Sequence, residues 1–260
     1  MLQVPSRECK VTLDHRIFAV RKDGNCELQR GTESLLIALE EKFDKIKRPR
    51  ICFLDTHDAA ILRNRLVRRH RQDVDAVGHR EITLKSPIED RCLAAGIKVR
   101  PEKTSKGKSK LKEVVVAPFQ RRFSHSVTLS NPTEHSPKNI ATPAEFSPVL
   151  GRSAHDVGLC VASTSVMVVG GVVPHERAHK GLTFELTQAV RASVAVILWT
   201  HSWKGRVICA ERFFRFDSNE EANPVAAVDS ALQLFSAIRQ FDWSVPSSLT
   251  TTQLAYGGRG

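Results

Sequence analysis

Charged and apolar side chains alternate along several short segments of this 260-residue chain, and this alternation limits the folds open to it. Near the start, Glu8 and Lys10 alternate with Cys9 and Val11. Successive side chains of a β-strand point to opposite faces of the sheet. Each such segment therefore predicts a strand with one charged face and one apolar face. The pattern recurs at 69–71, 81–85, 122–129 and 206–216.

Only two longer segments show the three-and-four spacing of an amphipathic helix, Thr32 to Lys47 and Pro224 to about Gln240. Eight or more strands with so little β–α alternation predict an antiparallel α+β architecture rather than a Rossmann sheet. Two arrangements stay open. In the first, the sheet stays open and its charged faces are exposed to bulk water. In the second, the sheet closes into a barrel with a polar lumen, and the helices cover its apolar outer face.

The length of the chain fits one large domain or two small ones. We expect a single domain over residues 1–246, followed by a flexible tail at 247–260. Inside the domain we expect a basic loop at 98–110 and a proline-rich connector at 130–148. Seven of the fifteen residues from 98 to 112 are Lys or Arg, and the connector holds four prolines.

Composition excludes several classes of protein. The six cysteines include no C-x-x-C pair, which argues against a zinc ribbon and a disulfide framework. The longest nearly apolar run, 161–173, is too short and too polar to cross a bilayer, and residues 1–20 lack the apolar core of a signal peptide. We therefore expect a cytoplasmic protein with no membrane partner. The sequence does not predict its oligomeric state.

The chain is strongly basic, with a net charge of +11 and a pI near 9.7. Such a balance favours anionic partners, including nucleotides, polyphosphate, nucleic acid and membrane surfaces. A closed barrel whose lumen holds Lys, Arg and Glu together would suit a metal-bound polyphosphate. The cations would hold phosphate oxygens, and the carboxylates would hold a hard divalent metal ion.

Several short blocks of sequence follow one another in a recognisable order. Asp55-Thr56 ends an apolar segment, an Arg-x-Arg pair stands at 69 and 71, Thr-Leu-Lys occupies 83–85, and a Glu followed by aromatics occupies 211–216. In this order the blocks resemble the CYTH superfamily, the triphosphate tunnel metalloenzymes. The opening signature of that superfamily is Glu-x-Glu-x-Lys. Glu8 and Lys10 match its end, while Ser6 replaces its first Glu.

The resemblance implies an eight-stranded antiparallel β-barrel, a tunnel flanked by helices. It also implies a triphosphate substrate (inorganic triphosphate, thiamine triphosphate or a nucleoside triphosphate) and a Mg²⁺ or Mn²⁺ cofactor. By the same resemblance, the catalytic and phosphate-binding residues would be Lys10, Arg69, Arg71 and Lys85. The alternating strands add Arg122 and Arg215 as further substrate contacts, and the metal ligands would be Glu8, Glu211 and Glu113.

Three functions stay open from the sequence. The first is metal-dependent hydrolysis of a triphosphate-containing small molecule inside the tunnel. The second is non-catalytic binding of polyphosphate or nucleotide on the same fold, since Ser6 removes one carboxylate. The third is nucleic-acid binding by the basic clusters Arg63–Arg71 and Lys98–Lys112, which lack the interleaved aromatics of a base-stacking surface.

Overall fold

A computed structural model describes residues 6–20, 22, 26–28, 45–47, 49–74, 79–96, 107–116, 120–130, 166–171, 173–188, 190–202, 204–217, 224–240, 243–245 and 251–257. The strands are β1 Ser6–Leu13, β2 Phe18–Val20, β3 Cys26–Leu28, β4 Lys45–Lys47, β5 Pro49–Thr56, β6 Val67–Asp73, β7 Arg80–Ile88, β8 Gly107–Val116, β9 Gln120–Ser130, β10 Val166–Val168, β11 His175–Glu185, β12 Arg191–Thr200 and β13 Val207–Asp217. The α-helices are α1 Ala60–Arg63, α2 Arg91–Gly96, α3 Pro224–Arg239 and α4 Thr251–Ala255.

Nine strands close into one barrel, in the order β5-β6-β7-β9-β8-β1-β13-β12-β11. The ring closes where His175 of β11 pairs with Arg50 of β5, beside a backbone hydrogen bond of 3.0 Å from the Ile51 N–H to the Pro174 carbonyl oxygen. The short strands β4 and β10 extend the sheet beyond the ring. The α+β barrel predicted from the sequence is therefore confirmed.

Two details of the barrel differ from the expectation. It has nine strands rather than eight, and it is mixed rather than antiparallel because β1 and β8 pair in parallel. Ser6 of β1 lies beside Lys112 of β8 in this parallel register. Pairing between strands so distant along the chain is not encoded in any local pattern, so alternation alone did not predict it.

Helix α3 covers the outer face of one side of the barrel. Its Ala231 and Phe235 are buried in a single apolar cluster with Val11, Leu13 and Phe214 of the strands beneath. Because alternate residues of a strand point to opposite faces, this packing turns the polar residues of β1 and β13 inward. The other predicted helix lies mostly outside the described residues, and its last three positions, Lys45–Lys47, form β4.

Apolar and aromatic side chains fill one end of the barrel interior. Phe53 and Trp199 stack with ring centroids 6.0 Å apart, and Tyr256 packs on Phe53 at 6.5 Å. Ile51, Val67 and Cys209 complete this buried cluster, which we call the apolar plug. Charged inner-face residues lie directly beside it, as Arg69 does opposite Phe53 and Lys85 does opposite Val67.

The carboxylate of Asp55 joins three parts of the chain at this end. It is 2% exposed and accepts hydrogen bonds from the backbone N–H of Ile61 (2.8 Å) and of Leu62 (3.1 Å) in α1. It also accepts one from the Tyr256 hydroxyl at 2.9 Å. The Asp55-Thr56 block of the sequence is therefore explained by local structure, since it positions α1 and the end of the chain.

Parts of the expected basic loop and of the expected tail have regular structure. β8 begins at Gly107, so the last part of the basic loop expected at 98–110 is a strand paired with β9. Residues 251–257, in the tail expected to be flexible, form α4 and bury Tyr256. Apart from Ser130, the proline-rich connector at 130–148 lies outside the described residues. No helix in the described ranges is long and apolar enough to cross a membrane.

Candidate functional site

The register of the barrel brings charged residues from six strands to its inner face. Directly paired residues share a face, as Lys10 and Phe213 do across β1 and β13, and as Arg69 and Thr83 do across β6 and β7. Electrostatic and ion-pair contacts then link these residues to one another across the interior. We call this set the lumen cluster: Glu8, Lys10, Arg69, Arg71, Glu81, Lys85, Lys112, Glu176 and Glu211.

Glu8 lies between two ammonium groups. Its Oε1 is 3.3 Å from Lys10 Nζ, and its Oε2 accepts a hydrogen bond from Lys112 Nζ. Lys10 Nζ is also 3.5 Å from Glu211 Oε2. Burial alone would raise the pKa of Glu8, but the two ammonium groups outweigh burial and hold that pKa at about 2. Glu8 is therefore ionised at every physiological pH.

A second group of ion pairs forms around Arg71. Its Nη2 donates to Glu176 Oε1 at 2.7 Å, and its Nη1 is 3.7 Å from Glu81 Oε2. Glu176 is 4% exposed, so its charge requires a partner at this depth. Both carboxylates of this group are therefore engaged with a guanidinium.

Two cations of the lumen cluster lack such a partner. Among the described residues, neither Arg69 nor Lys85 makes an ion pair, and Arg69 Nε is buried with no hydrogen-bond acceptor. Burial and the neighbouring Arg71 lower the pKa of Arg69 to about 10. Burial, with repulsion from Lys10 and Lys112, lowers the pKa of Lys85 to about 7. These cations thus repel one another within the lumen, and a bound anion would relieve that repulsion.

This charge predicts how stability depends on pH. Burial, offset in part by Glu8, leaves the pKa of Lys112 at about 8, and that of Lys85 is about 7. The unfolded chain keeps both protons up to the ordinary lysine pKa of about 10.4, so it binds more protons than the folded chain above pH 7. We therefore expect the melting temperature of the ligand-free protein to rise between pH 6.5 and pH 8.5. Calorimetric scans at several pH values will measure the melting temperature of the protein and of Lys85→Met. The melting temperature of the variant should rise less steeply with pH, and equal slopes would contradict the prediction.

Arg215 and Arg122 were predicted as further substrate contacts. Arg215 pairs directly with Glu8 across the strands, and its charge acts on Lys112. Arg122 pairs with Val114 on the inner face of β9, and its Nη2 is 3.4 Å from Gln120 Oε1. Both residues therefore lie on the predicted face, near the cluster.

Glu113 is not brought to the other predicted metal ligands. It pairs across the strands with Arg7, on the face opposite to Glu8, and its Oε2 accepts from Arg7 Nε at 2.7 Å. Its Oε1 is 3.7 Å from Arg121 Nε. Adjacent residues of a strand face opposite ways, so the inward position of Lys112 turns Glu113 outward.

Sequence reasoning missed Lys112 and Glu176 as members of the site. A signal for Lys112 existed, because Lys108, Lys110 and Lys112 alternate with other residues at a spacing of two, as a strand requires. Lys108 and Lys110 fell within the basic loop expected at 98–110, because that segment shows no apolar periodicity. Glu176 follows Pro174 closely and gave no comparable signal; only its pairing with Trp199 places it on the inner face.

The lumen cluster does not fit a resident divalent metal ion. Glu8 and Glu211 are both in contact with Lys10, and Glu8 is held by Lys112 as well. Ser6 offers a hydroxyl where a carboxylate was expected, and no group of three or more His, Cys, Asp or Glu within the described residues is arranged to hold a metal. This differs from the metal site predicted at Glu8, Glu211 and Glu113.

A separate cavity of about 620 Å³ lies at the plug end of the barrel, next to Trp199 and Tyr256. Its described lining contains neither Lys nor Arg, so it does not match a polyphosphate. The basic cluster Arg63–Arg71 does not form one outer surface either. Arg69 and Arg71 point inward, whereas Arg68 is fully buried on the opposite face.

The fold has known relatives, although the sequence matches no protein-family model and no curated protein. A putative adenylyl cyclase from Hippeastrum, described as having a dominant triphosphatase activity, superposes with a TM-score of 0.51 at 13% identity. The match covers 98% of this chain and 96% of that one. A putative adenylate cyclase from Bacillus halodurans gives a TM-score of 0.45 at 11% identity, over 96% of this chain and 98% of the other. The likeness to the Hippeastrum protein shows that the chain has the barrel fold predicted from its sequence.

Proposed function

We propose that this protein binds the triphosphate group of a small molecule in the lumen of its barrel. The observation that carries the proposal is the pair of half-buried lumen cations, Arg69 and Lys85, that make no ion pair among the described residues. A buried charge without a counter-ion is unfavourable, and a multiply charged anion would compensate several cations at once.

The guanidinium and ammonium groups would bind phosphate oxygens in different ways. The guanidinium of Arg69 presents N–H donors in a planar fork that matches two phosphate oxygens, while Lys85 offers a compact point charge. Lys10 and Arg71 are already oriented by their carboxylate partners, so they would meet the ligand in fixed positions. A chain of three phosphates suits cations spread along a lumen better than a single phosphate does.

Hydrolysis of the bound triphosphate is a second candidate. The observation favouring it is the fold shared with the Hippeastrum protein, which is described as having a dominant triphosphatase activity. Inorganic triphosphate, thiamine triphosphate and nucleoside triphosphates are all candidate substrates. The lumen cluster identifies no residue that would activate the attacking water, so we assign it no catalytic step.

The test compares anions of different length at one ionic strength. Tripolyphosphate, diphosphate, phosphate and sulfate are titrated into the protein, and the change in melting temperature is recorded for each. We expect tripolyphosphate to raise the melting temperature well above the effect of sulfate. Equal shifts for all four anions would show only general screening of charge and would remove the proposal.

The same preparation separates the remaining functions. Release of phosphate from the three triphosphates, with Mg²⁺ or Mn²⁺ added, would establish hydrolysis. Salt-sensitive binding of duplex DNA, without any effect of tripolyphosphate, would instead favour the nucleic-acid alternative.

A further inference from the structure

We infer that the lumen binds its polyphosphate without a divalent metal ion, because the ammonium groups of Lys10 and Lys112 already hold the carboxylate of Glu8, an expected metal ligand. This inference rests on the proposed function and specifies how the same site recognises its ligand. It departs from the Mg²⁺ or Mn²⁺ cofactor that the resemblance of the sequence implies.

The contacts of Glu8 carry the first step of the argument. Each of its two oxygens is held by a different ammonium group, Oε1 by Lys10 at 3.3 Å and Oε2 by Lys112. A metal ion bound to either oxygen would lie close to one of these ammonium groups, and like charges repel strongly at this depth.

The other lumen carboxylates are engaged in the same way. Glu211 Oε2 is 3.5 Å from Lys10 Nζ, and Glu176 and Glu81 are both paired with Arg71. Among the described residues, each of the four lumen glutamates therefore has a cationic partner. A metal ion would find no carboxylate in the cluster that is not already neutralised.

Position 6 and its paired residue show most directly that a cation is present where the resemblance implies a metal ligand. Ser6 is 1% exposed and pairs with Lys112 in the parallel register of β1 and β8. The resemblance implies a carboxylate at position 6, and the chain instead places a hydroxyl there with an ammonium next to it. The resemblance implies a negative charge here, which would attract a metal ion, whereas the lysine of this chain adds a positive charge, which attracts phosphate.

Both ammonium groups keep donors for a ligand. An ammonium has three N–H donors. Lys10 contacts two carboxylates and Lys112 contacts one, so each retains at least one donor that a phosphate oxygen can accept. The carboxylates then orient the ammonium groups rather than bind a metal.

The test is a calorimetric titration of tripolyphosphate into metal-stripped protein, once with EDTA and once with excess Mg²⁺. We expect binding in EDTA to be at least as tight as in Mg²⁺, because Mg²⁺ neutralises part of the ligand charge. Binding in Mg²⁺ alone would overturn the inference and leave the proposed function intact. Binding in neither buffer would remove the proposed function as well.

A charge reversal provides an independent readout. Lys112→Glu should weaken tripolyphosphate binding in EDTA by at least tenfold, and added Mn²⁺ should restore part of it, because the variant places a second carboxylate beside Glu8. Lys204→Glu, at an exposed lysine between β12 and β13, is the matched control and should change affinity less than threefold. If Lys112→Glu does not fold, Lys112→Met serves in its place, with the loss in EDTA but no rescue by Mn²⁺. Unchanged affinity of a folded Lys112 variant in EDTA would contradict the role assigned to that ammonium.

Discussion

The double variant Arg69→Ala/Lys85→Ala is expected to lose tripolyphosphate binding by roughly 10²- to 10⁴-fold. Each side chain would supply a charge-assisted hydrogen bond to phosphate, and such bonds contribute about 1.5–3 kcal/mol each. Two of them together amount to about 3–6 kcal/mol, and each 1.4 kcal/mol is a factor of about ten in affinity. Titration calorimetry of the folded variant measures the loss.

The same variant should be more stable than the parent when no ligand is present. Arg69 repels Arg71, and Lys85 repels Lys10 and Lys112, so removing both relieves repulsion inside the barrel. Opposite effects on affinity and on melting temperature would distinguish a binding role from a structural one. The variant Arg16→Ala/Arg63→Ala, which removes two exposed arginines outside the barrel strands, is the matched control. An affinity of the lumen variant within threefold of that control would refute the assignment.

Asp55→Ala is expected to destabilise the protein by about 3–5 kcal/mol, in the range found when one partner of a buried charged network is removed. The change leaves the N–H groups of Ile61 and Leu62 and the hydroxyl of Tyr256 without their acceptor in a buried region. Each such unsatisfied group costs about 1–3 kcal/mol. Equilibrium unfolding in urea gives the change in free energy directly.

Two further variants bracket this effect. Asp58→Ala removes an exposed carboxylate three residues away and should cost less than about 1 kcal/mol, as exposed ion pairs do. Tyr256→Phe removes one of the bonds to Asp55 and should fall between the two. A loss for Asp55→Ala no larger than that for Asp58→Ala would mean that this carboxylate does not hold α1 and α4 in place.

Alternation along single strands was enough to predict most of the inner face. Lys10, Arg69 and Lys85 each lie in a segment with a clear period of two, and each is found in the lumen as that period requires. The face on which such a residue lies depends on near neighbours in sequence, which a single chain displays directly. Closure of the sheet was left open by alternation and was implied only by the resemblance to the CYTH superfamily.

The composition of the site could not be predicted in the same way, because it depends on pairing between distant strands. Glu113 lies in a segment that is apolar on both faces, so alternation gave no direction, and only the parallel register of β1 and β8 turns Lys112 inward. The roles of Glu176 and Arg71 likewise follow from a contact between β6 and β11, 105 residues apart. A charge pattern identifies a polar face, but the ion pairs across a lumen decide which charges are left for a ligand.

A crystal structure of the protein with tripolyphosphate, grown in the presence of EDTA, is the most direct test of this account. The account predicts the three phosphates inside the barrel, with oxygens within hydrogen-bond distance of Arg69, Lys85 and Lys112 and no metal ion between them and Glu8. Tripolyphosphate bound on the outer surface, with the lumen cluster arranged as in the ligand-free chain, would contradict it.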